Sequence, residues 1–295
     1  MNTFLWMMGT LASFSFMAIA ARELGGQIDT FQILFFRSLI GLLIVSVIIF
    51  ASKDYPLFST TRIKQHISRN ISHFAGQYGW FLGLTLLPLA NVFALEFTVP
   101  LWTAIIAAIF LKERFTLKKT GSIALGLIAV LIIVKPGSDI FDHASLIVLL
   151  AAIFYALAYV ASKSLSTTEK PVSILFYMCL IQLPIAFFFS LFNWQNPNIE
   201  QWGWLMVVGI TALTAHYCIA RAMLLADVST VVTLDFLRLP LIALVGVVFY
   251  AEGFQVSIIL GGALMLIGNL INLYPATLKL KKVKPEKIKA ISNKQ

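Results

Sequence analysis

Apolar residues run through this chain in blocks of about twenty, and a block of that length can cross a bilayer as a helix. Ten blocks can be placed, at 3–21, 30–51, 67–87, 89–111, 119–134, 144–162, 172–192, 202–221, 228–250 and 256–275. Turn-forming residues separate them: Gly25-Gly26, Asp54-Tyr55-Pro56, Pro88, and the stop signal Lys135-Pro136-Gly137. The first block is rich in small residues, which permits close helix contacts. The third carries His73, Gln77 and Trp80 at helical spacing, a polar and aromatic stripe on one face. The pattern predicts an all-α integral membrane protein of ten transmembrane helices.

The fourth block departs most from a plain span. It enters at Pro88-Leu89-Ala90, carries Glu96 well inside, and meets Pro100 one turn later. A carboxylate at that depth costs a few kcal/mol, so it marks a pathway or a buried partner. Proline frees a backbone carbonyl, which membrane proteins place against other protein or a wet cavity.

Much of the first half returns in the second. Ile33-Leu34-Phe35-Phe36 reappears as Ile174-Leu175-Phe176-Tyr177, Gln77-Tyr78 as His216-Tyr217, and Leu95-Glu96-Phe97 as Leu234-Asp235-Phe236. Lys112-Glu113 matches Ala251-Glu252 with little drift in offset, the mark of an internal repeat. The boundaries read as residues 1–137 for the first five-helix repeat, 138–276 for the second, and 277–295 for a basic tail. Five helices are an odd number, so the second repeat is predicted to sit inverted, the arrangement of secondary transporters.

Composition adds to this picture. The chain is 59% hydrophobic and 12% charged, against about 25% charged in soluble domains, and the apolar blocks leave no room for a soluble domain. The net charge of +9 does not call for nucleic acid, because its placement follows the membrane. With the N-terminus inside, 18 of the 22 Lys and Arg fall on cytoplasmic loops and the tail, which predicts both termini in the cytoplasm. The tail reads as a topology anchor attracted to anionic lipid. No positive charge precedes the first block, so it reads as a retained helix and not a cleaved signal. Cys179 and Cys218 both lie in apolar blocks, which argues against a disulfide framework.

The candidate chemistry lies in the intramembrane polar residues. At 1.5 Å per residue, Arg37 and Glu96 both fall roughly 10 Å below the outer edge. They are predicted to pair or to share a wet vestibule; a purely structural ion pair is the alternative. Asp235 and Arg238, at i and i+3, can face the same way in the other half. His73 and His216 lie near the depth of Asp235. They can carry a coupled proton or serve as hydrogen-bonded core residues, and no ligand spacing supports a metal site. Trp80, Trp102, Tyr78, Tyr155, Tyr159 and Tyr217 can line a cavity wall or pack helices. Trp194, Trp202 and Trp204 read as interfacial belt residues. His66 and His143 read as solvated loop residues, and Glu113 and Glu252 as structural or gating groups that cap helix ends.

Taken in order, Phe35-Phe36-Arg37, Pro88-Leu89-Ala90, Phe97-Thr98-Val99-Pro100-Leu101, Phe110-Leu111-Lys112-Glu113-Arg114, Lys135-Pro136-Gly137, Ala226-Asp227, Phe236-Leu237-Arg238-Leu239 and Phe249-Tyr250-Ala251-Glu252 form a connected set. Each is weak alone, but their order and spacing are specific. Through them the chain resembles the drug/metabolite transporter superfamily, in particular its ten-helix EamA-type members. The resemblance implies alternating-access movement of small polar metabolites across a bacterial inner membrane, without an ATP-binding module or other cofactor. It implies an exporter of amino acids or their relatives, or else an importer of an aromatic or cofactor-like metabolite such as a vitamin or nucleoside. The expected pathway residues are Arg37, His73, Gln77, Trp80, Glu96, Trp102, His216, Tyr217, Asp235 and Arg238. The expected partners are a small-molecule substrate, the lipid bilayer and a coupling proton, in a monomer or homodimer. An intramembrane lipid-modifying enzyme is disfavoured, since the chain has no phosphate-binding Gly loop or metal motif.

Overall fold

The structure is a computed structural model that describes residues 3–110, 117–134, 143–226, 231, 234–235, 238–253 and 256–273. Within them the chain forms eleven α-helices and no strand. The helices are α1 (Thr3–Leu24), α2 (Thr30–Ser52), α3 (Ile63–Leu86), α4 (Leu89–Glu96), α5 (Val99–Phe110), α6 (Leu117–Val134), α7 (His143–Leu165), α8 (Pro171–Ser190), α9 (Ile199–Leu225), α10 (Arg238–Tyr250) and α11 (Val256–Leu273). The turn at Lys135-Pro136-Gly137, Glu113, Asp227, Phe236-Leu237 and the basic tail lie outside the described residues.

Local sequence explains the helix ends. The Asp29 carboxylate accepts the Phe31 N–H at 2.9 Å and opens α2. Lys53 closes it in the left-handed region, at φ 56°. Asn198 and Gln201 form a reciprocal capping box at the start of α9. Pro171 occupies the first turn of α8, where its missing N–H costs nothing.

The fourth apolar block is not the single helix that its length suggests. Pro100 has no N–H to give the Glu96 carbonyl, and its ring crowds that carbonyl. The helix therefore stops at Glu96 and restarts at Val99, with Pro100 in the first turn of α5. Thr98 bridges the gap: its hydroxyl donates to the Leu95 carbonyl at 2.8 Å and accepts from Trp102 Nε1 at 3.0 Å. The break leaves the Glu96 side chain at the C-terminal end of a two-turn helix, inside the protein.

Five helices (α1, α2, α7, α8 and α9) are long and apolar enough to cross a membrane by themselves. They present large apolar side chains outward, among them Leu43, Val47 and Phe50 on α2 and Phe187 and Phe188 on α8. Apolar surface on that scale suits lipid and not water. The main helix pairings are α1 with α9, α3 with α7, α2 with α8, and α6 with α11, while α4 packs on α10. Along α3, Gly76 and Gly79 let α7 approach closely. A Cβ on Gly79 would lie 3.0 Å from the Ala151 Cβ and 3.2 Å from the Ile147 carbonyl.

Candidate functional site

Three guanidinium groups are buried inside the helix assembly, at Arg37 on α2, Arg69 on α3 and Arg238 on α10. Arg238, 1% exposed, donates from Nη2 to Glu96 Oε1 at 2.8 Å and to Asp235 Oδ2 at 2.9 Å. Phe14 and Phe93 lie 4.7 and 4.8 Å from its guanidinium carbon, so aromatic faces cover the cation where carboxylates do not. The second Glu96 oxygen accepts from Trp80 Nε1 at 2.7 Å. Glu96 thus ties α3 to α10, and the break at Pro100 is what brings it there.

The Asp235–Arg238 pairing follows the i, i+3 expectation. The expected partnership of Arg37 with Glu96 does not form. Equal depth along two helices does not set which faces meet, and Arg238 takes the carboxylate instead. Arg37 donates from Nη1 to two amide oxygens, Gln77 Oε1 at 3.1 Å and Gln182 Oε1 at 3.3 Å. Gln182 was not singled out from the sequence, although a glutamine in an otherwise apolar block was the available signal. With its Oε1 accepting from Arg37, its Nε2 donates to His73 Nδ1 at 2.9 Å, which places the His73 proton on Nε2. The buried arginine therefore orients the imidazole through one intervening amide.

His73 faces His216 of α9, with ring centroids 4.7 Å apart, and Tyr155 of α7 at 5.7 Å. These three side chains, with Arg69, Tyr159 and Met223, line a cleft bounded by α3, α7, α8 and α9. The space that water can enter there is about 30 Å³, room for about two waters. Arg69 is held in its wall by neutral partners, the Ser162 hydroxyl at 3.0 Å and Asn70 Oδ1 at 2.6 Å. In the sequence Arg69 counts with the cytoplasmic positive charges, because it lies at the basic start of its helix. Trp102 and Tyr217 are not in the cleft wall: Trp102 bonds Thr98, and Tyr217 packs edge-on against Trp6 at 5.8 Å. Among the described residues, no group of three His, Cys, Asp or Glu side chains is placed to hold a metal.

The two ends of the helix assembly are tied differently. At one end Glu252 Oε1 accepts the Leu89 N–H at 2.9 Å, capping α4, and lies 3.6 Å from Arg22 Nη2. Arg22 also donates to the Leu84 and Leu87 carbonyls, and the Tyr250 hydroxyl donates to Glu23 at 2.7 Å. The capping role expected of Glu252 is met on a different helix, α4. At the end with the basic loops, Arg62 donates to the Ser164 carbonyl and the Thr168 hydroxyl, both at 2.8 Å. Thr60 donates to Glu169 at 2.6 Å, and Lys170 pairs with Asp54. His66 is not a solvated loop residue. It is fully buried in the first turns of α3, 3.9 Å from Glu169, because the α7–α8 connection folds over it.

A sequence model of the EamA-like transporter family matches residues 1–135 and again residues 143–274. The chain belongs to the EamA-like transporter family. It is similar to an S-adenosylmethionine uptake transporter of Rickettsia felis, 26% identical over 269 residues that cover 91% of each chain. A riboflavin transporter of Brucella anthropi is 32% identical over 217 residues, 72% of this chain and 76% of its own. The pseudopaline exporter CntI of Pseudomonas aeruginosa is 24% identical over 88% of this chain and 93% of its own. A solved crystal structure superposes with a TM-score of 0.68 at 18% identity, over 94% of this chain and 98% of that one, and this likeness concerns the fold.

Proposed function

We propose that this EamA-like transporter takes up a cofactor-sized metabolite across the bacterial inner membrane by alternating access, without catalysing a reaction on it. The observation that carries the reading is the meeting of two carboxylates related by the internal repeat, Glu96 and Asp235, on the single guanidinium of Arg238. A shared charged centre between two halves is what a rocking transporter needs at its pivot. In this reading α4 and α5 form one broken span, and ten spans place both termini in the cytoplasm. The helix pairings support the inverted repeat. Exchanging the first half for the second turns α1·α9 into α7·α3 and returns α2·α8 and α6·α11 to themselves.

The Arg22–Glu252 contacts would close the outer end here, while the cleft extends from His73 and His216 toward the basic, cytoplasmic end. The broken helix at Pro100 is the natural place for the two states to differ. His73 and His216 are the candidate carriers of a coupling proton. The names of the S-adenosylmethionine uptake transporter and the riboflavin transporter favour a cofactor-like cargo over an amino acid, and the similarity to a pseudopaline exporter keeps outward movement as the second reading.

The test is uptake of radiolabelled S-adenosylmethionine and of riboflavin into proteoliposomes holding the purified protein, with and without a proton gradient. Saturable accumulation of either compound, lost in Glu96→Gln, is the expected result. Failure of both to enter above empty liposomes, with counterflow of labelled amino acids intact, overturns the cofactor reading in favour of the amino-acid one.

A further inference from the structure

The buried charges do not balance. Both intramembrane carboxylates are committed to Arg238, whereas Arg37 and Arg69 have no carboxylate partner among the described residues. Arg37 is 2% exposed, and its Nε and Nη2 have no hydrogen-bond partner among the described residues. Among the described residues its acceptors are two amide oxygens, on Gln77 and Gln182. Arg69 is 6% exposed and bonds a hydroxyl and an amide. Gln182, which accepts from Arg37, also donates to the carbonyl of Asn70, whose side-chain oxygen accepts from Arg69. Cations buried at membrane depth without a counter-charge are costly, and such groups are retained where they serve a substrate or ion. A guanidinium with free N–H groups is the side chain best suited to an anionic oxygen pair.

Resting on the transport reading above, we propose that Arg37 and Arg69 form the subsite for an anionic group of the cargo, a carboxylate or phosphate, received beside His73 at the inner end of the cleft. Arg69 and His73 stand in the cleft wall, and Arg37 is joined to His73 through Gln182. Entry of the anion supplies the missing counter-charge and occupies donors that are now idle. The opposite charge has a place as well: Asp235 Oδ1 is buried without a partner among the described residues, and suits a cationic group on the same molecule. The subsite therefore selects an anionic or zwitterionic cargo and disfavours a neutral one.

The experiment pairs transport with melting in wild type, Arg37→Gln and Arg69→Gln. S-adenosylmethionine carries a carboxylate, riboflavin no charge, and flavin mononucleotide adds a phosphate to riboflavin, so the three probes separate carboxylate, phosphate and neutral cargo. The wild type is expected to move at least one probe that carries an anionic group and to discriminate against riboflavin. Either variant should weaken that probe by about tenfold or more, the size of a lost charge-assisted hydrogen bond. Without ligand, Arg37→Gln should melt at or above the wild-type temperature, since it removes an uncompensated cation. Equal handling of riboflavin and the anionic probes, or discrimination that survives both variants, overturns the subsite and leaves transport standing. If the wild type moves none of the three, the uptake reading fails and melting alone decides. A fall of several degrees in unliganded Arg37→Gln then marks the arginine as structural and overturns the proposal, and an unchanged or raised melting point upholds it.

Discussion

Arg238 and Arg37 are both buried guanidiniums inside the same helix assembly, yet their surroundings are opposite. Arg238 has two carboxylates within 3 Å and two aromatic faces over its plane. Arg37 has two amide oxygens and donors left over. A guanidinium between carboxylates has its charge offset by the fold and acts as a joint. One held by amides still has charge to offer, and its remaining capacity is open to something that comes and goes. Buried charge alone therefore does not distinguish a strut from a binding group; the bookkeeping of partners does.

The contrast can be broken most directly at Arg238. Arg238→Gln leaves two carboxylates facing each other without a cation, and losing one partner of a buried pair typically costs about 3–5 kcal/mol. Denaturant titration of the detergent-solubilised protein should show that loss, and a change below about 1 kcal/mol would mean that the pair is dispensable. Trp80→Phe keeps the ring and removes one hydrogen bond to Glu96 Oε2, for about 1.5–3 kcal/mol. Its melting point should fall between those of wild type and Arg238→Gln, and equality with wild type would show that Trp80 only packs.

A smaller effect is expected at the Arg22 end. Glu252→Gln keeps an acceptor for the Leu89 N–H but loses the charge facing Arg22, so the cost should be about 1 kcal/mol or less, as for other partly exposed pairs. Its signature is kinetic: a cysteine placed at Gly26 should label faster in proteoliposomes, and an unchanged rate would rule out a latch there. Smallest of all is Arg37→Gln. The hydrogen bonds it gives up, worth about 0.5–1.5 kcal/mol each, are offset by removal of an unpaired cation, so stability should stay within about 1 kcal/mol of wild type. A loss as large as that of Arg238→Gln would erase the distinction between the two arginines.

How much was legible before the structure depends on which interaction sets each feature. Asp235 and Arg238 are three residues apart, and helix geometry alone brings them together. The turn at Pro88 is equally local. The break between Glu96 and Val99 was signalled by Pro100 but read as a continuous span, because hydropathy registers length and is blind to one missing N–H. The pairing of Arg37 with Glu96 failed for another reason. Depth along a helix can be counted from its start, but rotation about the helix axis relative to a neighbour is set by packing. Gln182 carries no charge to draw attention, and Arg69 stands at the very start of its apolar block. His66 was misjudged because a distant loop covers it.

By itself the sequence determined the all-helical membrane-protein class, the repetition of one half in the other, and which few residues carry charge into the apolar blocks. Those properties follow from hydrophobic length, residue order and local backbone chemistry. Only the tertiary structure decided which carboxylate meets which guanidinium, which histidines face one another, and which cation is left without a counter-charge. The physical reason is that ion pairing and hydrogen bonding act over about 3–4 Å. At that range a partner is chosen by the rotation and close approach of helices far apart in the chain.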